Sequence, residues 1–223
     1  MSFLQNADLI YSEVLRAQKK SDFSAPKVKI LAATKSRTAE EINQLLAHEK
    51  INTIGENRLQ EAEEKLSRIK KCEKHFLGNI QSRKISKIVQ LFDCIQSVCD
   101  LFHAEKISLE AGKIDKNMKI FIEVSVTGEV QKSGVPLAKV DEFLSKVCKM
   151  KNVEVKGLMT MARFGVSEKE LRETFSTLRK LRNTYQSFYP ELEELSMGMS
   201  DDFKIAVEEG ATTVRLGRIL FNG

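Results

Sequence analysis

The chain has 223 residues, 42% of them hydrophobic, which suits one ordinary domain with a closed core and excludes a disordered or fibrous chain. Lysine and arginine number 36 against 31 aspartates and glutamates, so the net charge of +5 is a small excess on a chain that is 30% charged. That balance argues against a nucleic-acid binder, which concentrates its charge, and the longest basic stretch, Ser82-Arg83-Lys84-Ile85-Ser86-Lys87, reads as a solvated helix face. Cys72, Cys94, Cys99 and Cys148 form no C-x-x-C pair, and His75 and His103 complete no zinc pattern, so reduced, mostly buried thiols and no metal are expected. No apolar run reaches the length of a membrane span, and the first eight residues lack a basic stretch followed by an apolar core. A cytoplasmic protein without a membrane partner is the expectation.

In chain order, an opening helix (about Ser2 to Lys20) precedes short runs rich in Ile, Val and Leu that alternate with longer amphipathic stretches. The runs predict eight strands: Val28–Thr34, Ile51–Ile54, His75–Leu77, Cys94–Val98, Lys119–Val126, Val155–Met161, Leu195–Met199 and Thr213–Leu216. Between them, sets such as Leu171, Phe175, Leu178, Leu181, Tyr185 and Phe188 fall on one helical face. Eight strands with crossover helices are the content of a single-domain (β/α)8 barrel over residues 1–223, with an open doubly wound sheet as the structural rival. A helix after the eighth strand is missing from the pattern, which stops at Gly223, and the opening helix is expected to cover either the barrel side left bare or its bottom. No Pro/Gly/Ser-rich linker divides the chain.

In such a barrel the working residues stand at the carboxyl ends of the strands. The first strand leads into Lys35, where burial would desolvate the ammonium and leave an amine able to form a Schiff base; the plainer alternative is a lysine that snorkels to solvent. Barrels also bind phosphate with the loops after strands seven and eight. There the sequence offers Gly198 with Ser200, as N-cap or phosphate donor, and then Arg215-Leu216-Gly217-Arg218, a second glycine turn with a fixed cation. A lysine facing two glycine turns describes a site for a phosphorylated carbonyl compound, either pyridoxal 5′-phosphate (PLP) or the sugar phosphate of a Schiff-base aldolase. Glu56 and Glu123 are the carboxylates at strand ends that an aldolase would draw on.

The same residues resemble the pyridoxal phosphate homeostasis protein family, single-domain relatives of the alanine racemase barrel. The motifs run along nearly the whole chain: Ala33-Thr34-Lys35, Gly55-Glu56-Asn57 with Gln60-Glu61, His75-Phe76-Leu77-Gly78 with Gln81, Lys132-Ser133-Gly134, Gly157-Leu158-Met159, Ser196-Met197-Gly198-Met199-Ser200-Asp201-Asp202 and Val214-Arg215-Leu216-Gly217. The resemblance implies a PLP-binding barrel in which Lys35 carries the cofactor as an aldimine. Ser200 and the backbone near Gly217 and Arg218 would hold the phosphate, Arg215 would sit beside the pyridine nitrogen, and Asn57 would contribute to the site. Met159, Met197 and Met199 would pack near the ring or belong to the core. Two departures stand out: Arg83 where the family commonly has asparagine, and Phe221-Asn222-Gly223 without the family's last arginine.

His48 reads as a surface helix residue, and His103 as a structural one after Asp100. His75 is kept out of direct contact with the ligand, and the loop from Thr127 to Pro136 either closes over the site or is a long connection. Related racemases bring a catalytic tyrosine from a partner subunit, whereas Tyr11, Tyr185 and Tyr189 all fall in or at the ends of helical patterns here. The expected function is therefore PLP homeostasis by a monomer that holds the cofactor and yields it to apo-enzymes, with no catalytic residue assigned. A small PLP-dependent racemase or lyase and the aldolase are the alternatives.

Overall fold

In the computed structural model, which describes residues 3–23, 27–127 and 133–221, each apolar run becomes a strand and each amphipathic stretch a helix. The strands are β1 (Lys29–Ala33), β2 (Thr53–Glu56), β3 (Glu73–Phe76), β4 (Cys94–Val98), β5 (Met118–Ser125), β6 (Val135–Pro136), β7 (Val153–Met159), β8 (Glu194–Ser196) and β9 (Thr213–Leu216). All pair in parallel. β6 is a two-residue side strand on β5, and the other eight form a ring because β1 pairs with β9 and β4 with β5. That closure excludes the open doubly wound sheet.

The helices are α1 (Phe3–Lys19), α2 (Ala39–Leu45), α3 (Leu59–Lys65), α4 (Ile85–Leu91), α5 (Leu101–Gly112), α6 (Val140–Val147), α7 (Glu168–Gln186), α8 (Phe203–Glu208) and α9 (Arg218–Phe221). Two of them start at reciprocal caps: Thr38 accepts from Glu41 N, and Ser167 from Glu170 N, while each glutamate reaches back to its cap's amide. Their apolar faces and the outer faces of the strands enclose the main core. A smaller cluster, Cys94, Phe121 and Met159, is separate from it.

Several sequence expectations are corrected. A short helix, α9, does follow the last barrel strand, and α1 packs against α8, α9 and α2, so it takes the place on the barrel's side left by so short a final helix. Its buried stripe of Ala7, Ile10, Tyr11, Val14 and Ala17 supplies the apolar face that position needs. The second strand lies two residues later than predicted because its end includes Glu56, a fully buried carboxylate that a hydrophobicity pattern counts as loop. His48 is buried, not on the surface, in the turns after α2, where its Nε2 meets Asp8 Oδ1 at 3.1 Å. His103 lies in α5 with its amide capped by Asp100, as expected. Only Cys94 of the four thiols is fully buried; the others are half-buried, and burial pushes Cys72 up to about 11 and Cys148 to about 12. Among the described residues no helix is long and apolar enough to cross a membrane.

The join between chain start and chain end rests on Asn6, whose buried amide donates to the carbonyls of Ile219 and Leu220. Asn6→Leu strands both acceptors at a buried contact and is expected to lower stability by about 1–3 kcal/mol in urea denaturation, with the fold retained.

Candidate functional site

Register decides what meets at the mouth of the barrel. Leu31 stands opposite Arg215 and Ala32 opposite Leu216, while Ala33 stands opposite Gly55. The residues that follow these strand ends, Lys35, Asn57 and Gly217, therefore converge, and a cavity of about 310 Å3 opens between them. All six residues expected at a ligand site, Lys35, Asn57, Ser200, Arg215, Gly217 and Arg218, line it. The rest of its wall is Ala33, Leu77, Met159, Met161, Met199 and Asp201. Of the three methionines weighed from the sequence, Met159 and Met199 face the cavity and Met197 belongs to the core.

Of the two readings of Lys35, the structure shows the solvent-reaching one: its side chain is exposed, not desolvated. What is buried is the frame beneath it. Lys65, at the end of α3, sends Nζ to Glu56 Oε1 (2.7 Å), Thr34 O (2.8 Å) and Arg37 O (3.1 Å), so one ammonium ties down both sides of the Lys35 turn. Glu56 Oε1 also accepts from the Thr34 hydroxyl, and Glu61 Oε2 accepts from Ser36 N at 3.0 Å, holding Ser36 at a φ of 59°. Burial raises the Glu56 carboxyl above its usual range in spite of Lys65 and Thr34, and its Oε2 has no partner.

The opposite wall is built by the turn after β8. Gly198 has a φ of +93°, and a Cβ there would stand 2.5 Å from Ala206 Cβ, so only glycine lets the turn lie on α8. Asp202, not Ser200, is the N-cap residue of α8, and its Oδ1 turns back to accept from Met199 N at 2.5 Å. Ser200 is thus left to the cavity, which it lines. Arg218 is exposed and ion-paired to Asp201 at 2.8 Å.

Arg215 is the fixed cation. It is only 6% exposed; Nη1 donates to Ser196 O (2.7 Å) and Ser196 Oγ (2.8 Å), and Nη2 to Thr160 O (2.9 Å). Burial brings it down to about 10, opposed by the charges of Asp202 and Glu123, so it remains protonated at neutral pH. Sequence reasoning missed Ser196, Thr160, Asp202 and Lys65 as supports and Met161 and Leu77 as walls. Met161 and Leu77 end predicted strands and were within reach of the strand-end rule; Lys65 sits in a helix and gave no signal. Residues 128–132 of the Thr127–Pro136 loop, among them Lys132 of one family motif, lie outside the described residues.

The family model "Alanine racemase, N-terminal domain" matches residues 12–223. A pyridoxal phosphate homeostasis protein of Vibrio alginolyticus is 32% identical over 228 residues, covering 99% of this chain and 97% of the relative. The chain belongs to the pyridoxal phosphate homeostasis protein family. The relative of that name from Aquifex aeolicus is 36% identical and covers 86% of each chain. Among solved structures, PipY of Synechococcus elongatus with PLP bound matches with a TM-score of 0.81 at 32% identity, over 95% of this chain and all of that one. Alanine racemase of Clostridium difficile shares the fold alone, with a TM-score of 0.74 at 16% identity over 96% of this chain and 56% of that one. Among the described residues no cluster of His, Cys, Asp or Glu could hold a metal ion.

The Lys65–Glu56 pair yields a prediction with a defined pH dependence. Lys65→Met leaves Glu56 buried without its counter-charge and is expected to cost about 3–5 kcal/mol at pH 7.5. The Glu56 carboxyl, already raised in the folded protein, binds its proton more tightly there than in the unfolded chain. The deficit therefore shrinks as the pH falls toward the ordinary glutamate value of 4.5, and urea denaturation at pH 5 and 7.5 measures it.

Proposed function

We propose that this protein binds PLP covalently through Lys35 and serves PLP homeostasis, holding the cofactor and yielding it to apo-enzymes without a specific turnover of its own. The observation that carries this is the convergence on one cavity of an exposed amine, a buried cation and a hydroxyl-bearing glycine turn. The residues fit the group. The cavity lies at the lower end of the roughly 300–1,000 Å3 range of small-molecule sites. Leu77, Met159 and Met161 offer an apolar wall to a ring, and Ser200, Gly217 and Arg218 offer a hydroxyl, close backbone and a cation to a phosphate. When bound, PLP supplies an aldehyde that condenses with amines and a ring that takes up electron pairs best when its nitrogen is protonated.

The chain's own residues favour holding over turnover. Arg215 has no lone pair to take up a proton and cannot act toward a ring nitrogen as a carboxylate would. Among the described residues no tyrosine, histidine or cysteine lines the cavity, so no second base faces Lys35 there; the one carboxylate in the wall, Asp201, is paired with Arg218. Those features weigh against the racemase or lyase alternative, and the family membership weighs against the aldolase. A monomer that needs no partner-borne tyrosine completes the reading.

The test is borohydride reduction of the PLP-treated protein followed by mass mapping. Lys35 is expected to carry the cofactor, and Lys35→Ala to lose the visible absorption of the lysine-bound cofactor while remaining folded; retention of that absorption would remove Lys35 from its role. Ser200→Ala is expected to weaken PLP binding about tenfold to a hundredfold, the equivalent of a lost hydrogen bond to a charged group at roughly 1.5–3 kcal/mol. With L-alanine in deuterated water, little exchange at the α-carbon is expected of the wild type, and more of Arg215→Glu. Rapid exchange by the wild type would promote the racemase alternative.

A further inference from the structure

Three polar side chains inside the barrel serve no wall of the cavity yet are almost wholly buried: Ser196 and Gln96 at 0% exposure and His75 at 2%. They form one line. Ser196 Oγ donates to Gln96 Oε1 at 2.6 Å, Gln96 Nε2 meets His75 Nδ1 at 2.8 Å, and His75 Nε2 faces Glu73 Oε1 at 3.5 Å. Gln96 is on β4 and Ser196 on β8, three strands apart around the ring, so their bond runs through the barrel interior. At its upper end the line carries Arg215 through Ser196. At its lower end His75 Nε2 makes no hydrogen bond, and Glu73 beyond it is flanked by Lys29 (3.3 Å) and Lys119 (3.5 Å); the neighbouring His75 together with these cations holds its carboxyl well below the usual range.

The direction of every bond follows from one fact: a guanidinium only donates. Ser196 Oγ must accept from Arg215, which frees its own hydrogen for Gln96 Oε1. The Gln96 amide hydrogens are then directed at His75, whose Nδ1 must carry the lone pair. The imidazole hydrogen is placed on Nε2, toward Glu73. Reversing Gln96 strands the Ser196 hydrogen, so a single arrangement satisfies the bonds from Arg215 through Ser196 and Gln96 to His75 Nδ1.

We propose that Gln96 and His75 are positioning residues for Arg215: a hydrogen-bond line through the barrel interior, ending at His75, that fixes the plane of the guanidinium presented to the cavity. The consequence for a bound cofactor rests on the proposed function; the line itself does not. The first measurement is therefore made on the ligand-free protein, by ¹H–¹⁵N NMR of the arginine side chains, with the Arg215 signals assigned by their loss in Arg215→Lys. Resolved Nη hydrogens, the mark of hindered rotation, are expected in the wild type. They should collapse in Gln96→Leu and in His75→Leu, and persist in His75→Asn, where Oδ1 replaces Nδ1 as the acceptor for Gln96. With PLP added, the visible absorption maximum of the lysine-bound cofactor is expected to shift in the two leucine variants and stay in place in His75→Asn.

Wild-type Arg215 signals in a folded Gln96→Leu protein overturn the proposal. If that variant does not fold, Ser196→Ala breaks the same link with a smaller change, and unaltered signals there overturn it equally. His75→Asn behaving like His75→Leu removes His75 from the role. A wild type that takes up no PLP overturns the proposed function, while the NMR contrast still decides the positioning role.

Discussion

The parallel pairing of β1 with β9 is the constraint on which everything at the mouth depends. It joins the first strand of the chain to the last, with Leu31 opposite Arg215, and so places residues 180 positions apart, Lys35 and Arg215, on walls of one cavity. A shift of one residue in a parallel pair turns every side chain to the other face. Arg215 would then enter the apolar layer between strands and helices, where the carbonyls of Ser196 and Thr160 could not reach it. The same closure depends on the outside of the barrel being covered between α8 and α2. The α1 helix meets that need by laying its buried stripe on the gap and bonding its Asn6 amide to the turn of α9.

Inside the ring, the fold accommodates charges that hydrophobic packing alone would exclude. Moving an ion out of water costs several kcal/mol even after relaxation, and the three hydrogen bonds of Arg215, each worth on the order of 1.5–3 kcal/mol, are of the size needed to offset it. The direction of its shift fits that balance, because burial lowers it to about 10 and stops well short of neutrality. Lys65 and Glu56 reach the same end by another route. Three oxygens satisfy the ammonium, and the carboxylate, short of one partner, is pushed upward. Both arrangements fix backbone: Lys65 bonds to the carbonyls on either side of the Lys35 turn, and Arg215 to those of Ser196 and Thr160 at the ends of two neighbouring strands.

The barrel was legible in the sequence because period and length both recur, and strands such as Cys94–Val98 and Thr213–Leu216 fall where their apolar runs end. The site was legible wherever function sits at a strand's end, which covers Lys35, Asn57, Arg215 and Gly217. Polar residues within strands were not, because a pattern of hydrophobicity treats them as errors or as loop. Glu56 moved a strand boundary in this way. Gln96 and Ser196 gave no signal of that kind, although a glutamine in the middle of a strand buried along its whole length is a readable sign that something in the interior must bond to it. The sequence could not decide between a desolvated and an exposed Lys35 for a related reason: a strand buried on both faces says nothing of the turn that follows it, and Ser36, in its left-handed conformation, turns that segment toward solvent.

The exposure of Lys35 bears on what kind of site this is. A lysine activated by deep burial would sit in an enclosed pocket, and anything bonded to it would leave slowly. Here the rigid elements are those that would hold a ligand's charge and ring, Arg215 and the turn of Gly198, while the amine that would bond to it is open to water and to other amines. Arg218, the exposed cation at the phosphate corner, is shared with Asp201, so its attraction for an anion is divided with a carboxylate already present. A site that orients firmly and bonds accessibly suits a protein whose proposed task is to keep a reactive aldehyde from stray amines and still give it up. Exposed as it is, Lys35 would let an incoming amine take its place on the cofactor's carbon and be released as the free amine, while the buried frame of Arg215, Lys65 and Glu56 stays as it is.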